Sequence, residues 1–497
     1  MLSSCVFDLT CSYISGITLL GTPAEIYVYG SQAYMGVISD ILTNITIVIV
    51  YLPVFFKLQV TSSYEYLNRR FGPTVRLFGT CLFLIKMVIT GINLHLISPI
   101  VCSVCIFYTS LGGLKAVVWA DTLQMFLMMG GIVVVLIIGI VKVGGLGIVY
   151  DRAVETSRAE FFNTDLDPTV RHTLWNMLLG NYVYHVATMA VNQCMVQRCL
   201  SGNVHPDSWH FCIVTLCTLT GFVMHAYFFD CDPIKSKKIS KADQLLPYFV
   251  METSTIMPGL PGIFLSGVFS AALSTMSTGL NSMTGVIFED MIEPWTGGLS
   301  ERATGRVLKL VVVLIGILCV SMVFVVEQLG TLFQMTKSLL GITNGPLLGL
   351  FTLGMFFPSA NAFGALVGGI TALCTMGWIS LGAQSVISKG LIKFPTKSVN
   401  VSGCKEPLDH LFTSNLEVAM EPLYMFRISY MWYGLIGLFI TISVGLLVSN
   451  LRPDSKKVDR DLLSPVTYRF LAEDKSSSEI QSAISPVSLK LIEMKSC

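Results

Sequence analysis

Apolar stretches about as long as a bilayer is thick recur along the whole chain. Crossing the hydrocarbon core of a membrane takes about 20 apolar residues in a helix. Such stretches lie near 11–29, 33–56, 75–97, 100–119, 121–143, 174–193, 208–228, 260–288, 306–326, 330–356, 360–383 and 429–449. The chain is 53% hydrophobic and 13% charged, whereas soluble domains have about 25% charged residues. The pattern predicts an all-α polytopic membrane protein with about twelve spans.

Basic and acidic residues are distributed unevenly between the predicted loops. If the spans alternate, the pairs Arg69/Arg70 and Lys456/Lys457 fall on one side, which the positive-inside rule makes cytoplasmic. The other side receives the acidic loop 151–168 and the loop 384–424. We therefore expect a multi-pass plasma-membrane protein with a transmembrane domain at 1–450 and a flexible cytoplasmic tail at 451–497.

Two features of the predicted outer loops are typical of an extracellular face. Asn400 begins the sequon Asn-Val-Ser, so we expect a glycan on Asn400. Cys231 and Cys404 lie in polar loops, where an oxidising environment permits a disulfide between them. The other interpretation leaves both as free thiols.

The sequence excludes several classes of protein. It contains no phosphate-binding loop, zinc-protease motif or nucleophile elbow, so we predict neither an enzyme nor an ATP-driven pump. Lys and Arg number 32 against 31 Asp and Glu, and this balance provides no field for binding nucleic acid. His185 and His225 are interpreted as hydrogen-bonded core residues.

An interrupted helix and a polar helix are candidates for an ion site. Pro23 follows Gly21-Thr22 within the first span and removes a helix hydrogen bond, which frees upstream carbonyls to bind a cation. A simple kink is the other interpretation. Hydroxyl and amide side chains, including Ser274 and Thr275, crowd an otherwise apolar helix at 270–282. They are candidate ion ligands, although small polar residues also allow close helix packing.

Two charged residues lie within or at the start of apolar spans. A charge inside a bilayer is unfavourable unless it faces water, a cation or a partner. Asp121 is therefore a functional candidate. Lys337 lies among Gly341, Gly345 and Pro346, where it can pair with a substrate carboxylate. A structural ion pair or a side chain reaching the interface is the alternative for Lys337.

Five strings, taken in order, resemble the sodium/solute symporter family. They are SGITLLGTPAEIYVYG (15–30), TSSYEYLNRRFG (61–72), TSLGGLKAVVWADTLQ (109–124), VNQCMVQRCLSG (191–202) and SAALSTMSTGLNS (270–282). The resemblance is greatest to the sodium-coupled monocarboxylate and multivitamin transporters, in which strings like GTPAE and TSSYEYL occur. It implies a LeuT-type fold of two inverted five-helix repeats, with alternating access to a site at the membrane midplane.

The resemblance also implies a sodium site. Its ligands would be backbone carbonyls and side-chain hydroxyls, which suit a hard monovalent ion. The matching positions are the carbonyls of Cys11, Ile14 and Ala271 and the hydroxyls of Ser274 and Thr275. Asp121 matches an acidic residue near the cytoplasmic exit of sodium. Na+ is thus the expected co-transported ion.

Substrate contacts follow from the same resemblance. An aromatic pair of the family's sugar carriers is replaced here by Thr188 and Met189, which disfavours a stacked sugar. Lys337 matches a substrate contact and would attract an anion, and Thr18 would hydrogen-bond it. We therefore predict sodium-coupled import of small organic anions, chiefly monocarboxylates. A multivitamin transporter for biotin or pantothenate is the alternative.

Two departures from the family are expected to matter. Family members begin with one more helix, and the hairpin at 75–119 is shorter than theirs, which affects the third and fourth core helices. A truncated, non-transporting isoform or a sensor is therefore a second expectation. A channel is a third, although no selectivity-filter string is present.

Overall fold

The computed structural model describes most of the chain. The described residues are 16–60, 62–90, 122–193, 195–196, 208–255, 257–296, 299–326, 332–404, 422–454 and 458–470. Within these ranges the chain forms helices, turns and loops, and no strand. The predicted sodium ligands Cys11 and Ile14 lie outside the described residues, and so does Asp121.

The helices are long and follow the apolar stretches of the sequence. In chain order they are α1 (Gly16–Tyr29), α2 (Gly36–Thr46), α3 (Leu52–Leu58), α4 (Ser63–Phe71), α5 (Pro73–Thr90), α6 (Thr122–Val143), α7 (Leu146–Glu155), α8 (Asn181–Met189), α9 (Ser208–Tyr227), α10 (Leu245–Thr253), α11 (Leu260–Ile287), α12 (Glu301–Val326), α13 (Leu332–Phe356), α14 (Ala362–Ser388) and α15 (Tyr433–Leu451). Short helical segments lie at Ser31–Met35, Ile47–Tyr51, Asn176–Gly180, Phe288–Ile292, Glu293–Thr296, Tyr424–Arg427, Tyr430–Trp432, Arg460–Leu462 and Pro465–Phe470.

The helices account for the described part of every predicted span except 100–119, which lies outside the described residues. Seven helices of the described chain are long and apolar enough to cross a membrane. Their outer surfaces expose large apolar side chains such as Ile41, Phe126 and Leu314, as expected of helices in contact with lipid. A multi-pass helical protein is therefore confirmed, while the count of twelve crossings and the missing first helix stay predictions.

Small residues bring the last three long helices into close contact. An added Cβ on Gly364 of α14 would lie 2.4 Å from the carbonyl oxygen of Gly445 in α15. One on Gly345 of α13 would lie 2.6 Å from the carbonyl oxygen of Gly434. Glycine at these positions lets the backbones approach, which favours helix association in lipid.

One end of the helix bundle holds the predicted outer loops. Cys231 and Cys404 form a disulfide there, with their Cα atoms 5.0 Å apart, which agrees with the first of the two interpretations of these cysteines. The amide nitrogen of Asp232 donates to the carbonyl of Asn400 at 3.0 Å, and Asn400 is exposed. We call this the disulfide end.

The opposite end, called the basic end, contains the helix α4. Ser62 accepts a hydrogen bond from the amide of Tyr64 and begins α4, while Arg69 and Arg70 lie in its last turn, where the helix dipole favours cations. Arg70 donates to the carbonyls that end α13 and begin the next loop, Gly354, Phe357 and Ala360. Arg69 and Arg70 thus lie at the end opposite to the disulfide, and the cytoplasmic orientation of this end stays a prediction.

A segment within the expected tail packs against the basic end. Ser464 donates through its amide to the carbonyl of Met355 and through its hydroxyl to the carbonyl of Val50, both at 3.0 Å. Tyr66 donates to the carbonyl of Leu462 at 3.1 Å. Residues 458–468 therefore connect α13, α4 and the segment between α2 and α3.

Candidate functional site

The polar helix predicted from the sequence is α11, and two of its three candidate ion ligands are buried. Ala271 and Ser274 are fully buried, and Thr275 is partly buried one helical turn after Ala271. Ala271 packs in one apolar cluster with Leu19 of α1. The helix α1 continues through Pro23 from Gly16 to Tyr29, so the predicted interruption at Gly21-Thr22-Pro23 does not occur in this part of the chain. α1 and the serine-rich helix are nevertheless neighbours, as a shared sodium site requires.

Ser274 has an unusual hydrogen-bonding state. Among the described residues its Oγ is buried without a hydrogen-bond partner, whereas Thr275 donates to the carbonyl of Ala271 at 3.1 Å. A buried hydroxyl left unpaired is unfavourable by about 1–3 kcal/mol. An oxygen-seeking cation beside Ser274 would satisfy it. The described half of the predicted site thus contains an oxygen available for an ion.

A central cavity of about 180 Å³ lies beside this helix. Its volume far exceeds the roughly 10–15 Å³ that one buried water needs. All three predicted substrate contacts, Thr18, Thr188 and Lys337, line it together with Thr275. The structure therefore brings together residues of α1, α8, α11 and α13, which the sequence placed up to 319 positions apart.

Thr188 and Lys337 have partners within the cavity wall. The hydroxyl of Thr188 donates to the carbonyl of Tyr184 at 2.7 Å, so its lone pairs remain available to a ligand donor. The ammonium of Lys337 lies 3.5 Å from the amide oxygen of Asn181 and 3.7 Å from the centre of the Tyr184 ring. The electron-rich face of an aromatic ring attracts and stabilises a cation.

Sequence reasoning missed two charged residues of this cavity. Lys86 of α5 is 2% exposed and lines the cavity, as does Asp40 of α2. One carboxylate oxygen of Asp40 lies 3.0 Å from Nδ1 of His185, and the other lies 3.1 Å from Nδ1 of His210. Both Lys86 and Asp40 interrupt apolar spans, which is the signal that had identified Lys337. Applying it to every span would have found them.

Charged side chains of both signs line the described part of the cavity. They are two lysines, Lys86 and Lys337, and the carboxylate of Asp40. The described lining therefore has one more cationic side chain than carboxylates. A monoanion would neutralise that excess, whereas a neutral solute would leave it in place.

A layer of polar side chains closes the cavity toward the disulfide end. Arg171, which precedes α8, donates to both carboxylate oxygens of Glu25 in α1, and its third nitrogen donates to Gln334 of α13 at 2.6 Å. His172 hydrogen-bonds the hydroxyl of Tyr430 at 2.9 Å. The Glu25 carboxylate raises the pKa of Arg171 although burial opposes the charge. We call these five residues the closed layer.

The closed layer lies next to the central cavity, on the side of the disulfide end. Gln334 is followed by the cavity residues Thr336 and Lys337, and Tyr430 is followed by Met431, which also lines the cavity. Glu25 lies one helical turn beyond Thr22, another lining residue. The closed layer therefore lies between the central cavity and the disulfide end.

The chain is similar to known transport proteins along most of its length. The sequence model of the family described as the Sodium:solute symporter family matches residues 4–372. The mouse sodium-coupled monocarboxylate transporter 2 is 34% identical, over 93% of this chain and 79% of its own. The human sodium-coupled monocarboxylate transporter 1 is 34% identical, over 89% of this chain and 79% of its own. The rabbit sodium-dependent multivitamin transporter is 35% identical, over 89% and 75%.

A solved structure is similar over almost the same extent. It is a Na+-coupled sialic acid symporter in a substrate-bound, outward-open state. Its TM-score is 0.68 at 21% identity, and the match covers 92% of this chain and 91% of that one. The likeness confirms the predicted LeuT-like fold.

Proposed function

The chain belongs to the sodium:solute symporter family, and on that premise we propose that it imports small organic monoanions, chiefly monocarboxylates, together with Na+. Membership confirms the coarser predictions. The chain is a multi-pass membrane transporter and not an enzyme, and sodium is its co-transported ion. The substrate, the plasma membrane as location, and the roles of individual residues are proposals.

The described lining of the central cavity has two lysines and one carboxylate, and this composition supports a monoanion as substrate. Lys337 would pair with the carboxylate, and Thr18 would donate a hydrogen bond to it. Thr188, whose proton is donated to Tyr184, would accept a hydrogen bond from a donor group of the solute. The single excess charge favours one carboxylate over two. Monocarboxylates, biotin and pantothenate all satisfy this requirement, so the multivitamin alternative remains within the same proposal.

Sodium would bind first and join α1 to α11. We assign its ligands to the carbonyls of Cys11, Ile14 and Ala271 and the hydroxyls of Ser274 and Thr275, with Asp121 at its cytoplasmic exit. The unpaired Oγ of Ser274 supports this assignment. Sodium binding would shift the population toward the outward-open state. Each positive charge moving inward gains about 2.3 kcal/mol per 100 mV of membrane potential.

Orientation and location follow from the two ends of the bundle. The disulfide end, with exposed Asn400, would face outward and bear the glycan, and the basic end would face the cytoplasm. Such an arrangement fits the plasma membrane.

Uptake measurements test the substrate class. Cells producing the chain would be given labelled lactate, nicotinate, biotin, pantothenate or glucose, in sodium or in choline buffer. We expect sodium-dependent, saturable uptake of at least one anion. Glucose as the best substrate would refute the anion proposal, and no sodium-dependent uptake of any solute, despite surface expression, would favour the non-transporting isoform or sensor.

A variant tests the role of Lys337. Lys337→Gln should raise the KM for the anion about tenfold or more, since a lost charge-assisted hydrogen bond is worth about 1.5–3 kcal/mol. Lys309→Gln is the matched control, because Lys309 is exposed on α12. Equal KM values for the two variants would remove Lys337 from the substrate site.

A further inference from the structure

A second cavity lies on the outer face of the closed layer. Its volume is about 400 Å³, and Arg171 and His172 of the layer form part of its wall. The remaining wall comes from the segment 392–397, from Arg427 and from the loop 160–170. Lys397 in this segment donates through its amide to the carbonyl of Val28, which fixes the segment beside the end of α1. We call this cavity the vestibule.

The vestibule is strongly cationic. Four basic residues line it, Arg171, Lys393, Lys397 and Arg427, against one acidic residue, Glu160. Lys397 is neutralised by Glu160 at 2.7 Å, and Arg171 by Glu25 beneath it. Two positive charges are therefore in excess. A concave surface with charges of one sign concentrates ions of the other sign.

The two excess charges, on Lys393 and Arg427, are exposed and make no salt bridge with any described residue. The nearby carboxylate of Asp167 accepts from the amide and hydroxyl of Thr169, at 2.9 and 2.8 Å, and interacts electrostatically with Arg427 without forming a salt bridge to it. Both cations can thus bind a ligand without first breaking an ion pair.

The innermost cation of the vestibule has apolar flanks. The guanidinium of Arg171 lies 4.0 Å from the centre of the Tyr29 ring and 5.1 Å from that of Phe394, and both rings line the vestibule. A ligand with a carboxylate and a small apolar body matches such a surface, because its charge meets the cations while its carbon atoms contact the rings.

We propose that the vestibule is a binding site for organic carboxylates, which the transported anion occupies before it passes the closed layer. The inference rests on the proposed function for the identity of the ligand. An arriving carboxylate meets Lys393 and Arg427 at the surface and Arg171 at the floor. There it competes with Glu25 for the guanidinium, so that occupancy of the vestibule weakens the contact that closes the path inward.

Thiol labelling tests the site without requiring transport. Thr396 is exposed and lines the vestibule, so Thr396→Cys places a thiol there. Its reaction rate with a sulfonate-bearing methanethiosulfonate is compared with that of a trimethylammonium-bearing one, with the unsubstituted chain as background. We expect the sulfonate reagent to react faster, and the rate ratio to fall about fivefold or more when Lys393→Gln and Arg427→Gln are added.

The matched control removes two charges outside the vestibule. Lys235 and Lys238 are exposed at the same end, near the disulfide, and Lys235→Gln with Lys238→Gln should leave the ratio within about twofold of the parent. The proposal would be overturned if the ratio of the two labelling rates changed equally with both pairs of substitutions, or with neither pair. Such a result would indicate that the basic residues only face solvent or lipid headgroups.

Protection by ligand is the second measurement. Lactate or nicotinate should slow the labelling of Thr396→Cys at least twofold at saturation, and less so in the Lys393→Gln, Arg427→Gln background. Glucose should not. Absence of protection by an anion that is transported would refute the vestibule site while leaving the proposed function intact. Protection by anions without any sodium-driven uptake would uphold the site and refute the proposed function.

Discussion

Arg171 and Glu25 form a buried two-point ion pair, with the guanidinium Nε and Nη2 donating to the two carboxylate oxygens at 2.6 and 3.0 Å. Both side chains are 6% exposed. The pair joins α1 to the loop before α8 and closes the path between the vestibule and the central cavity.

Glu25→Gln should strongly destabilise this closed state. The substitution keeps the shape but leaves the buried charge of Arg171 without its counterion, which is expected to lower the free energy of unfolding by about 3–5 kcal/mol. Thermal unfolding of the purified protein at fixed sodium concentration measures the effect. Glu160→Gln removes the more exposed pair with Lys397 and should cost less than about 1 kcal/mol. Similar losses of unfolding free energy in both variants would contradict a special role of the buried ion pair in stabilising the closed layer.

Ser274→Ala should separate ion binding from folding. Removing a buried, unpaired hydroxyl should leave the protein in sodium-free buffer as stable as the wild type, or about 1 kcal/mol more stable. The wild type should gain stability as sodium is added, and the variant should not. Ser266→Ala is the control, since Ser266 Oγ donates to the carbonyl of Ile263 on the same helix. A normal sodium response in Ser274→Ala would exclude Ser274 as a ligand.

His172 should make the protein less stable in mild acid. Burial, with the charges of Arg171 and Lys337 nearby, holds the pKa of His172 well below 6.5. The unfolded chain gains a proton below that value while the folded one does not, so stability falls as the pH falls through about 6.5. Between pH 7.5 and 5.5 the free energy of unfolding of the wild type should fall by about 1.4 kcal/mol more than that of His172→Gln. Equal losses of unfolding free energy in the two proteins would show that His172 accepts a proton in the folded state.

The disulfide tests orientation. A membrane-impermeant reductant applied to intact cells should break Cys231–Cys404 and release two thiols for an impermeant maleimide. The variant Cys231→Ser with Cys404→Ser should show no such gain in labelling. Labelling that appears only after the cells are permeabilised would place the disulfide end inside and reverse the orientation.

Close packing of α14 on α15 predicts opposite effects at two glycines. Gly364→Ala should destabilise by about 1–3 kcal/mol, because the added carbon would overlap the backbone of Gly445. Gly377→Ala on the same helix meets open space and should be neutral or stabilising, since alanine favours the helix by up to about 1 kcal/mol. Thermal unfolding of the two variants provides the comparison.

Much of the fold and part of the site could be predicted from the sequence. Apolar stretches placed the helices, and the crowding of hydroxyl side chains, including Ser274 and Thr275, identified α11 as the polar helix. Lys337 was identified because a charged side chain within an apolar span is unfavourable unless it has a partner or faces water. The same rule applied equally to Lys86 and Asp40, but nothing in the local sequence shows that they share a cavity with Lys337.

The sequence by itself determined that the chain lies in a lipid bilayer, where its long helices are, and to which family it belongs. Span length, polarity and motif strings are local properties of the chain. Only the tertiary structure decided which charges meet. Glu25 faces Arg171 across 146 positions, and Asp40 lies beside His185 and His210. Those pairings, and the excess charges of the cavity and the vestibule, depend on how the helices pack, where a shift or rotation of one helix would bring different side chains together.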